Sequence, residues 1–389
     1  MGYIDADAHV IECEATWDYF DPSERQYRPV TFEVPSAPGS AAPPKQVYLI
    51  GETLCRRFPS DCKGSGFGNP YTPAVSHLED AGLRLRCMDS LGIDVQIVIS
   101  TSFIGAETGN PVIEAAVMRS WNRWMAERTA GAQDRLRWLL MCPVTHPERA
   151  WEELEFGARN GAAGVMLKGM LHGRFLSDPS FYPLYERAQD LNLTMVVHQG
   201  AMREHIEGLG LTTYRESSAN FFHYTATVAK GLFAVLASDL NKRFPRLRWA
   251  FVEAGSCWLP AVFHQYIHSI SSADPNSYVQ THLGPGRVYT HVNPAELMAA
   301  HNIYIACDAD EDLPYLTARY GEEQFLVGSD FCHNDLGSNP LAHTQVMERT
   351  DLPERVRRRI VDTNGRKAFA IPEDFTPTAG VREPAMAVF

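Results

Sequence analysis

Asp5-Ala6-Asp7-Ala8-His9-Val10, preceded by Tyr3 and Ile4, has the apolar, β-branched or aromatic setting of a buried strand, yet it carries metal-binding residue types near its end. Side chains two apart fall on the same side of a strand, so Asp7 and His9 point together. A carboxylate and an imidazole leaving a buried strand side by side cost free energy unless something pairs with them, and a cation suits both. Alone, the pair also fits a turn-capping aspartate and a hydrogen-bonded core histidine. Whether later strand ends repeat these residue types separates the two readings.

Residues 13–76 interrupt any regular pattern with Pro35, Pro38, Pro43 and Pro44 and a Gly64-Ser65-Gly66-Phe67-Gly68 run, and Gln46 to Ile50 suit one arm of a small hairpin. So long an insertion directly after a site strand reads as a cover over the site, with residues 29–70 over its mouth. From His77 onward helices alternate with strands. Helices are expected near 77–91, 111–129, 147–159, 178–191, 219–243, 257–270, 294–300 and 311–319, with two closing helices at 340–348 and 353–369. The strands between them are expected at 95–100, 136–141, 164–168, 194–198, 247–253, 303–308 and 325–330. With the first strand that makes eight, the pattern of an α/β fold of the parallel (β/α)8 TIM barrel type, distorted by the insertion after strand 1. A doubly wound open sheet would need a glycine-rich phosphate turn after its first strand, and the sequence has none there. The chain 1–389 reads as a single barrel domain.

The composition, 45% hydrophobic and 21% charged, is that of a globular protein with a large core. A net charge of −12 without a Lys/Arg run argues against nucleic acid and anionic membrane as partners. No apolar run suggests a membrane span and no leader is recognisable, so a cytoplasmic protein is expected. Eight cysteines without a C-x-x-C pair, several inside apolar runs, are expected as buried reduced thiols.

In such a barrel the C-terminal strand ends meet at one face. Here they offer Asp7 and His9 from the first strand, Lys168 from the fourth, His198 from the fifth, Glu253 from the sixth and Asp330 from the eighth. His223, near the start of the helix before the sixth strand, is positioned to lean over the same mouth. A capping aspartate or a core histidine explains each residue singly, but not five strands ending this way at one face. The expected metal donors are therefore Asp7, His9, His198, His223, Glu253 and Asp330. His264 and His268, four apart on a packed helix, are expected at its surface; His333 is expected in the pocket, and Trp121, Trp124 and Trp258 in the core or pocket wall.

Asp-Ala-His at 7–9, Val196-Val197-His198 and Val327-Gly328-Ser329-Asp330-Phe331 resemble the amidohydrolase superfamily, in the branch of amidohydrolase-related proteins that includes aromatic-acid decarboxylases. The resemblance runs from the first strand to the closing Arg358–Gly365 segment and implies Asp7, His9, His198 and Asp330 as metal ligands. The branch's decarboxylases carry a catalytic histidine at the end of the sixth strand, where this chain has Glu253. A glutamate does not replace an imidazole as proton carrier near neutral pH without a raised pKa, but it can be a ligand. Three carboxylates and three imidazoles are too many for one open catalytic metal and enough for two. Some members of the branch are nonheme diiron monooxygenases acting on polycyclic terpenoid intermediates, and the Glu-for-His exchange points that way. The resemblance thus leads to two iron ions, O2 and an apolar small-molecule substrate, with an electron donor and a homo-oligomer left open. The alternative is one zinc or manganese in a decarboxylase or hydrolase of a small carboxylic acid, with Asp330 or Glu253 as base. Lys168 stands where binuclear relatives place a carbamylated bridge; a substrate-anion contact or a plain lysine are the other readings.

Overall fold

The computed structural model describes residues 2–35, 44–56, 71–102, 108–200, 225–270, 292–333 and 337–377. Eight strands form one sheet: β1 (Tyr3–Val10), β5 (Ile93–Ser100), β6 (Leu136–Met141), β7 (Ala162–Leu167), β10 (Thr194–His198), β11 (Trp249–Val252), β12 (Ile303–Cys307) and β13 (Phe325–Val327). They lie in chain order and every pairing between neighbours is parallel. The edges also meet. The His9 N–H donates to Phe331 O at 2.8 Å, the Asp330 N–H donates to Asp7 O at 2.9 Å, and Ala8 bridges Phe331 in parallel. The result is a (β/α)8 barrel, as the strand count predicts.

Its strands are buried on both faces, so they read as apolar runs rather than alternating ones; every residue of β5 is buried. Helices cover the outside. The helix Pro111–Arg128 starts at Asn110, whose side chain accepts from the Val112 and Ile113 N–H groups, and Pro111 occupies its first turn. It is locked to β6 by Trp121, whose ring lies 6.0 Å from Trp138 and 6.4 Å from Trp124, all three fully buried. Trp258 is buried as well.

Element ends depart from the sequence expectation in ways that bear on the site. The sixth and eighth barrel strands stop early, at Val252 and Val327, because the next residues turn out of the ladder. Glu253 (φ 55°) and Asp330 (φ 51°) both adopt left-handed backbone, which for a residue with a Cβ costs on the order of 1–3 kcal/mol and persists only where the surroundings enforce it. The helix expected at 77–91 begins at Ala81, where Asp80 caps it, and a separate short helix Pro73–Ser76 precedes it. The last closing helix is broken by a π turn at Arg359–Thr363. Cys87, Cys142, Cys307 and Cys332 are buried free thiols and Cys13 is partly buried; Cys257, on the loop after β11, is exposed, contrary to expectation. Among the described residues no helix is long and apolar enough to cross a membrane.

Two small antiparallel sheets lie outside the barrel: a hairpin after β7, β8 (Met170–Leu171) with β9 (Arg174–Phe175), and, within the insertion, a three-stranded sheet of β2 (Val30–Val34), β3 (Lys45–Ile50) and β4 (Thr53–Arg56). Tyr48 buries its ring edge-on to Trp17 at 5.6 Å and donates to Glu12 O at 3.5 Å. A Cβ at Gly51 would come within 2.9 Å of Ile113 Cδ1. The sheet therefore rests on the chain leaving β1 and on the start of the helix that follows β5, the end of the barrel where the strand C-termini lie. Residues 36–43 and 57–70 of the expected cover are outside the described residues.

The seam between β1 and β13 has no spare room: a Cβ on Gly328 would sit 2.4 Å from Asp7 Cβ. Gly328→Ala is expected to lower stability by about 1–3 kcal/mol, as overpacking does, and to reduce cation uptake with it. Urea unfolding measures the first; an unchanged midpoint would show that the seam yields without cost.

Candidate metal centre

Four strand ends build the cluster. β1 turns Asp5, Asp7 and His9 inward; β10 ends on His198; Glu253 follows β11 and Asp330 follows β13. His9 and His198 are fully buried, and Asp7 and Asp330 are 2% and 3% exposed. Asp5 forms the layer below. Its carboxylate accepts from the Ser329 N–H (2.9 Å), Ser329 Oγ (2.6 Å) and Gln96 Nε2 (3.1 Å), tying the first strand to the last. Behind it the buried Arg84 donates to Gln96 Oε1, Cys332 Sγ and the carbonyl of His9, at 2.8–3.0 Å.

His9, His198, Glu253 and Asp330 each have an outer atom that is held and an inner atom that is offered. His198 Nδ1 lies 2.7 Å from Gln199 O and His9 Nδ1 lies 3.3 Å from Thr101 Oγ1, which leaves both Nε2 atoms facing inward, 3.3 Å apart. Glu253 Oε1 accepts from Gln199 Nε2, while its Oε2 faces His198 Nε2 and lies 3.2 Å from His9 Nε2. Asp330 Oδ2 accepts from Ser338 Oγ at 2.7 Å. The inner oxygens Asp7 Oδ1 and Asp330 Oδ1 are buried and take no hydrogen bond of proper geometry, although ring nitrogens surround them. His9 Nε2 stands 3.5 Å from Asp7 Oδ1 and 3.3 Å from Asp330 Oδ1, and His198 Nε2 stands 3.6 Å from Asp7 Oδ1. Donors held about 2.1 Å from one tetrahedral ion stand about 3.4 Å apart. The residues thus fit a metal ion by spacing, by chemistry and by their unpartnered oxygens.

The donors form two overlapping groups: Asp7, His9, His198 and Glu253, and His9, Glu253, Asp330 and His333. The first holds Glu253 where the resemblance implies Asp330. Asp330 instead belongs with His333, whose Nδ1 is 2.6 Å from Asp330 Oδ1 and whose ring stacks 3.9 Å from that of His9.

Electrostatics in the cation-free cluster follow from mutual pairing. Burial disfavours the imidazolium of His198, but Glu253 and Asp7 outweigh it and push the pKa up to about 10; His9 is raised well above its usual value for like reasons. Burial likewise opposes ionisation of Glu253 and Asp7, yet the two imidazoles hold Glu253 well below, and Asp7 below, the usual carboxylate range. Asp330 goes the other way: burial, aided by Glu253, raises it to about 7 in spite of His333.

The other residues singled out in the sequence stand as follows. Lys168 is buried at the end of β7, but none of the contacts described for the clustered donors is made by it. His223 lies outside the described residues. His264 and His268 are exposed on their helix with rings 4.3 Å apart, as expected for surface residues. Sequence reading missed Asp5, Thr101, Gln199 and Ser338. Asp5 was accessible to it, since it shares the inward face of β1 with Asp7 and His9; nothing in the sequence marks the other three, which act through hydroxyl and amide groups on loops.

The amidohydrolase family model matches residues 4–371. Among solved structures, an amidohydrolase from Mycobacterium avium subsp. paratuberculosis K-10 is 18% identical with a TM-score of 0.74, over 96% of this chain and 98% of that one. The 5-carboxyvanillate decarboxylase of Sphingomonas paucimobilis is 17% identical with a TM-score of 0.61, over 95% and 99%. A dihydroxybenzoic acid decarboxylase from Polaromonas sp. JS666, solved with bound manganese and the inhibitor 2-nitroresorcinol, is 16% identical with a TM-score of 0.57, over 95% and 97%. At these identities the structures establish a shared fold. With the family model spanning nearly all of the barrel, the chain belongs to the amidohydrolase family.

Proposed function

We propose that the chain is a metal-dependent enzyme acting on a small carboxylic acid, as a decarboxylase or hydrolase. One observation carries this: two imidazole Nε2 atoms and inward carboxylate oxygens converge at single-ion spacing, with every outer atom but Asp7's engaged in a described contact. Similar solved structures include aromatic-acid decarboxylases, one with bound manganese, which supports the substrate class and a zinc- or manganese-type ion. Asp7, His9, His198 and Glu253 would hold the cation, with Asp330 beside it. A divalent ion bound there supplies positive charge that orients a substrate carboxylate or hydroxyl and stabilises developing negative charge. In the cation-free cluster Asp330 is the carboxyl raised to about 7, whereas Glu253 is held well below the usual carboxylate range by the two imidazoles, which makes Asp330 the candidate proton carrier. The described part of the insertion, the β2–β4 sheet resting at the C-terminal end of the barrel, would contribute to a cover that limits water at the mouth.

A second reading, a diiron monooxygenase using O2 on an apolar terpenoid-like molecule, is favoured by the overlap of two donor groups through Glu253. Against it, His9 Nε2 is common to both groups and has one lone pair. Metal analysis with paired assays decides between the two: one ion per chain and CO2 release or ester hydrolysis from hydroxybenzoic acid derivatives support the first, and about two irons with O2 consumption support the second.

Asp7→Ala and His9→Ala are expected to abolish activity and cation uptake while the far-ultraviolet circular dichroism stays native; His264→Ala is expected to leave both intact. Full metal content in both of the first two variants would sink the site.

Because His9 and His198 are protonated in the cation-free protein, an ion must displace their protons. Uptake at pH 7 is expected to release about two protons per ion and to strengthen as pH rises toward 10. Calorimetry in buffers of different ionisation heat reads the proton count; uptake indifferent to pH between 6 and 9 would contradict it.

A further inference from the structure

Arg84, on the helix Ala81–Leu91, is fully buried, yet none of its described partners is a carboxylate. A guanidinium cannot shed its charge and is costly to take out of water, so it is kept in such a place where its planar fork of donors secures something a neutral side chain would not. Its partners all belong to the seam where the barrel closes. Nη2 donates to the carbonyl of His9 at 3.0 Å, Nη1 to Cys332 Sγ at 2.9 Å and Nε to Gln96 Oε1 at 2.8 Å, while Cζ stands 3.9 Å from the centroid of the Phe331 ring.

On one side of the seam the fork grips the strand that carries His9. The His9 N–H already donates to Phe331 O, so with Arg84 on its carbonyl the backbone of His9 is fixed at both polar groups. On the other side it grips the segment that leaves the ladder after β13. Asp330 (φ 51°) and Cys332 (φ 81°) are both left-handed there, and Phe331 between them stacks on Tyr71 at 4.0 Å. Left-handed backbone at residues with a Cβ persists only where neighbours enforce it. Arg84 touches the two residues that follow Asp330, the Phe331 ring by cation–π attraction and the Cys332 sulfur by a hydrogen bond.

The charge is answered at one remove. Gln96 accepts from Arg84 at Oε1 and donates through Nε2 to Asp5 Oδ2 at 3.1 Å, so its amide lies between the guanidinium and the buried carboxylate. Asp5 in turn accepts from the N–H and hydroxyl of Ser329, the residue before Asp330. Arg84 therefore reaches Asp330 from both flanks, through Phe331 and Cys332 directly and through Gln96 and Asp5 to Ser329.

We propose that Arg84 is a positioning residue of the cation centre: one guanidinium behind the seam sets the spacing of His9 and Asp330 by holding the His9 carbonyl and both chain flanks of Asp330. The fork is essential to this, since acceptors in three fixed directions match a planar guanidinium and not the ammonium of a lysine. The inference rests on the cation reading given above and adds a residue outside the donor set on which cation affinity depends.

Arg84→Met keeps an unbranched stem and deletes the fork; Arg84→Lys keeps the charge and deletes the fork; Gln96→Leu cuts the link to Asp5 without removing a charge. Arg135 supplies the control: it is 3% exposed and donates to the carbonyls of Ile93 and Asp94 at the N-terminal end of β5, away from the cluster. Arg135→Met thus reads what losing a buried arginine does through the fold alone. Chelator competition with Mn2+ is expected to show Arg84→Met and Arg84→Lys each about 10- to 100-fold weaker than wild type, the usual cost of removing a partner that orients a ligand. Gln96→Leu is expected to weaken binding in the same direction, and Arg135→Met to keep wild-type affinity although its thermal midpoint falls. The electron paramagnetic resonance spectrum of bound Mn2+ is expected to change in Arg84→Lys, because the donors shift, and to stay unchanged in Arg135→Met. Where Arg84→Met does not fold, Arg84→Lys and Gln96→Leu read the same affinity. Wild-type affinity in Arg84→Lys or Gln96→Leu, or equal weakening in Arg135→Met, overturns the inference. A wild-type protein that takes up no Mn2+ removes the cation reading and the inference with it. Loss of uptake in Asp7→Ala with wild-type affinity in the Arg84 variants overturns the inference alone.

Discussion

Closing the barrel forces carboxylates and imidazoles from distant parts of the chain into one dry volume, and the rest of the structure is arranged around that burden. Each buried unpaired ion costs several kcal/mol even after relaxation. Without a cation, the cluster approaches neutrality by holding protons on His9 and His198 against Asp7 and Glu253. With neutral imidazoles it keeps the charge of its carboxylates, which a divalent ion offsets. The closure itself leans on another buried acid, Asp5, whose two oxygens take three hydrogen bonds from Ser329 and Gln96 and so join the first strand to the last.

Precision comes from the atoms that face away from the centre. Gln199 holds both an outer oxygen of Glu253 and, through its carbonyl, the outer nitrogen of His198, so one residue aims two donors. Ser338 does the same for Asp330, and Thr101 for His9. The left-handed backbone at Glu253 and Asp330 turns their side chains inward just past the ends of β11 and β13. Such strain is retained where a site requires it.

The barrel was legible in the sequence because its strands are continuous apolar runs separated by helices, and because β1 alternates acidic or histidine residues with small or branched apolar ones. Asp7, His9, His198, Glu253 and Asp330 were legible as strand-end residues of ligand type. The grouping was not. That Glu253 joins Asp7, His9 and His198 while Asp330 goes to His333 depends on φ angles and on where β11 and β13 stop, which no residue pattern encodes. Thr101, Gln199 and Ser338 carry no signature, because hydroxyls and amides are common on loops and acquire a role only from what the fold places beside them.

The exchange of histidine for glutamate at the end of β11 also changes the charge available to a substrate. The resemblance implies Asp7 and Asp330 as the anionic ligands, which together balance a dication. Here Glu253 adds a third carboxylate, so with all three ionised the occupied centre is one charge too negative to favour an anionic substrate. In the cation-free cluster Asp330 is the exception among the three: burial, with Glu253 beside it, raises it to about 7, while the imidazoles hold Asp7 and Glu253 below the usual carboxylate range. The glutamate that stands where the branch's decarboxylases carry histidine therefore both takes a place among the inward donors and makes ionisation of Asp330 harder.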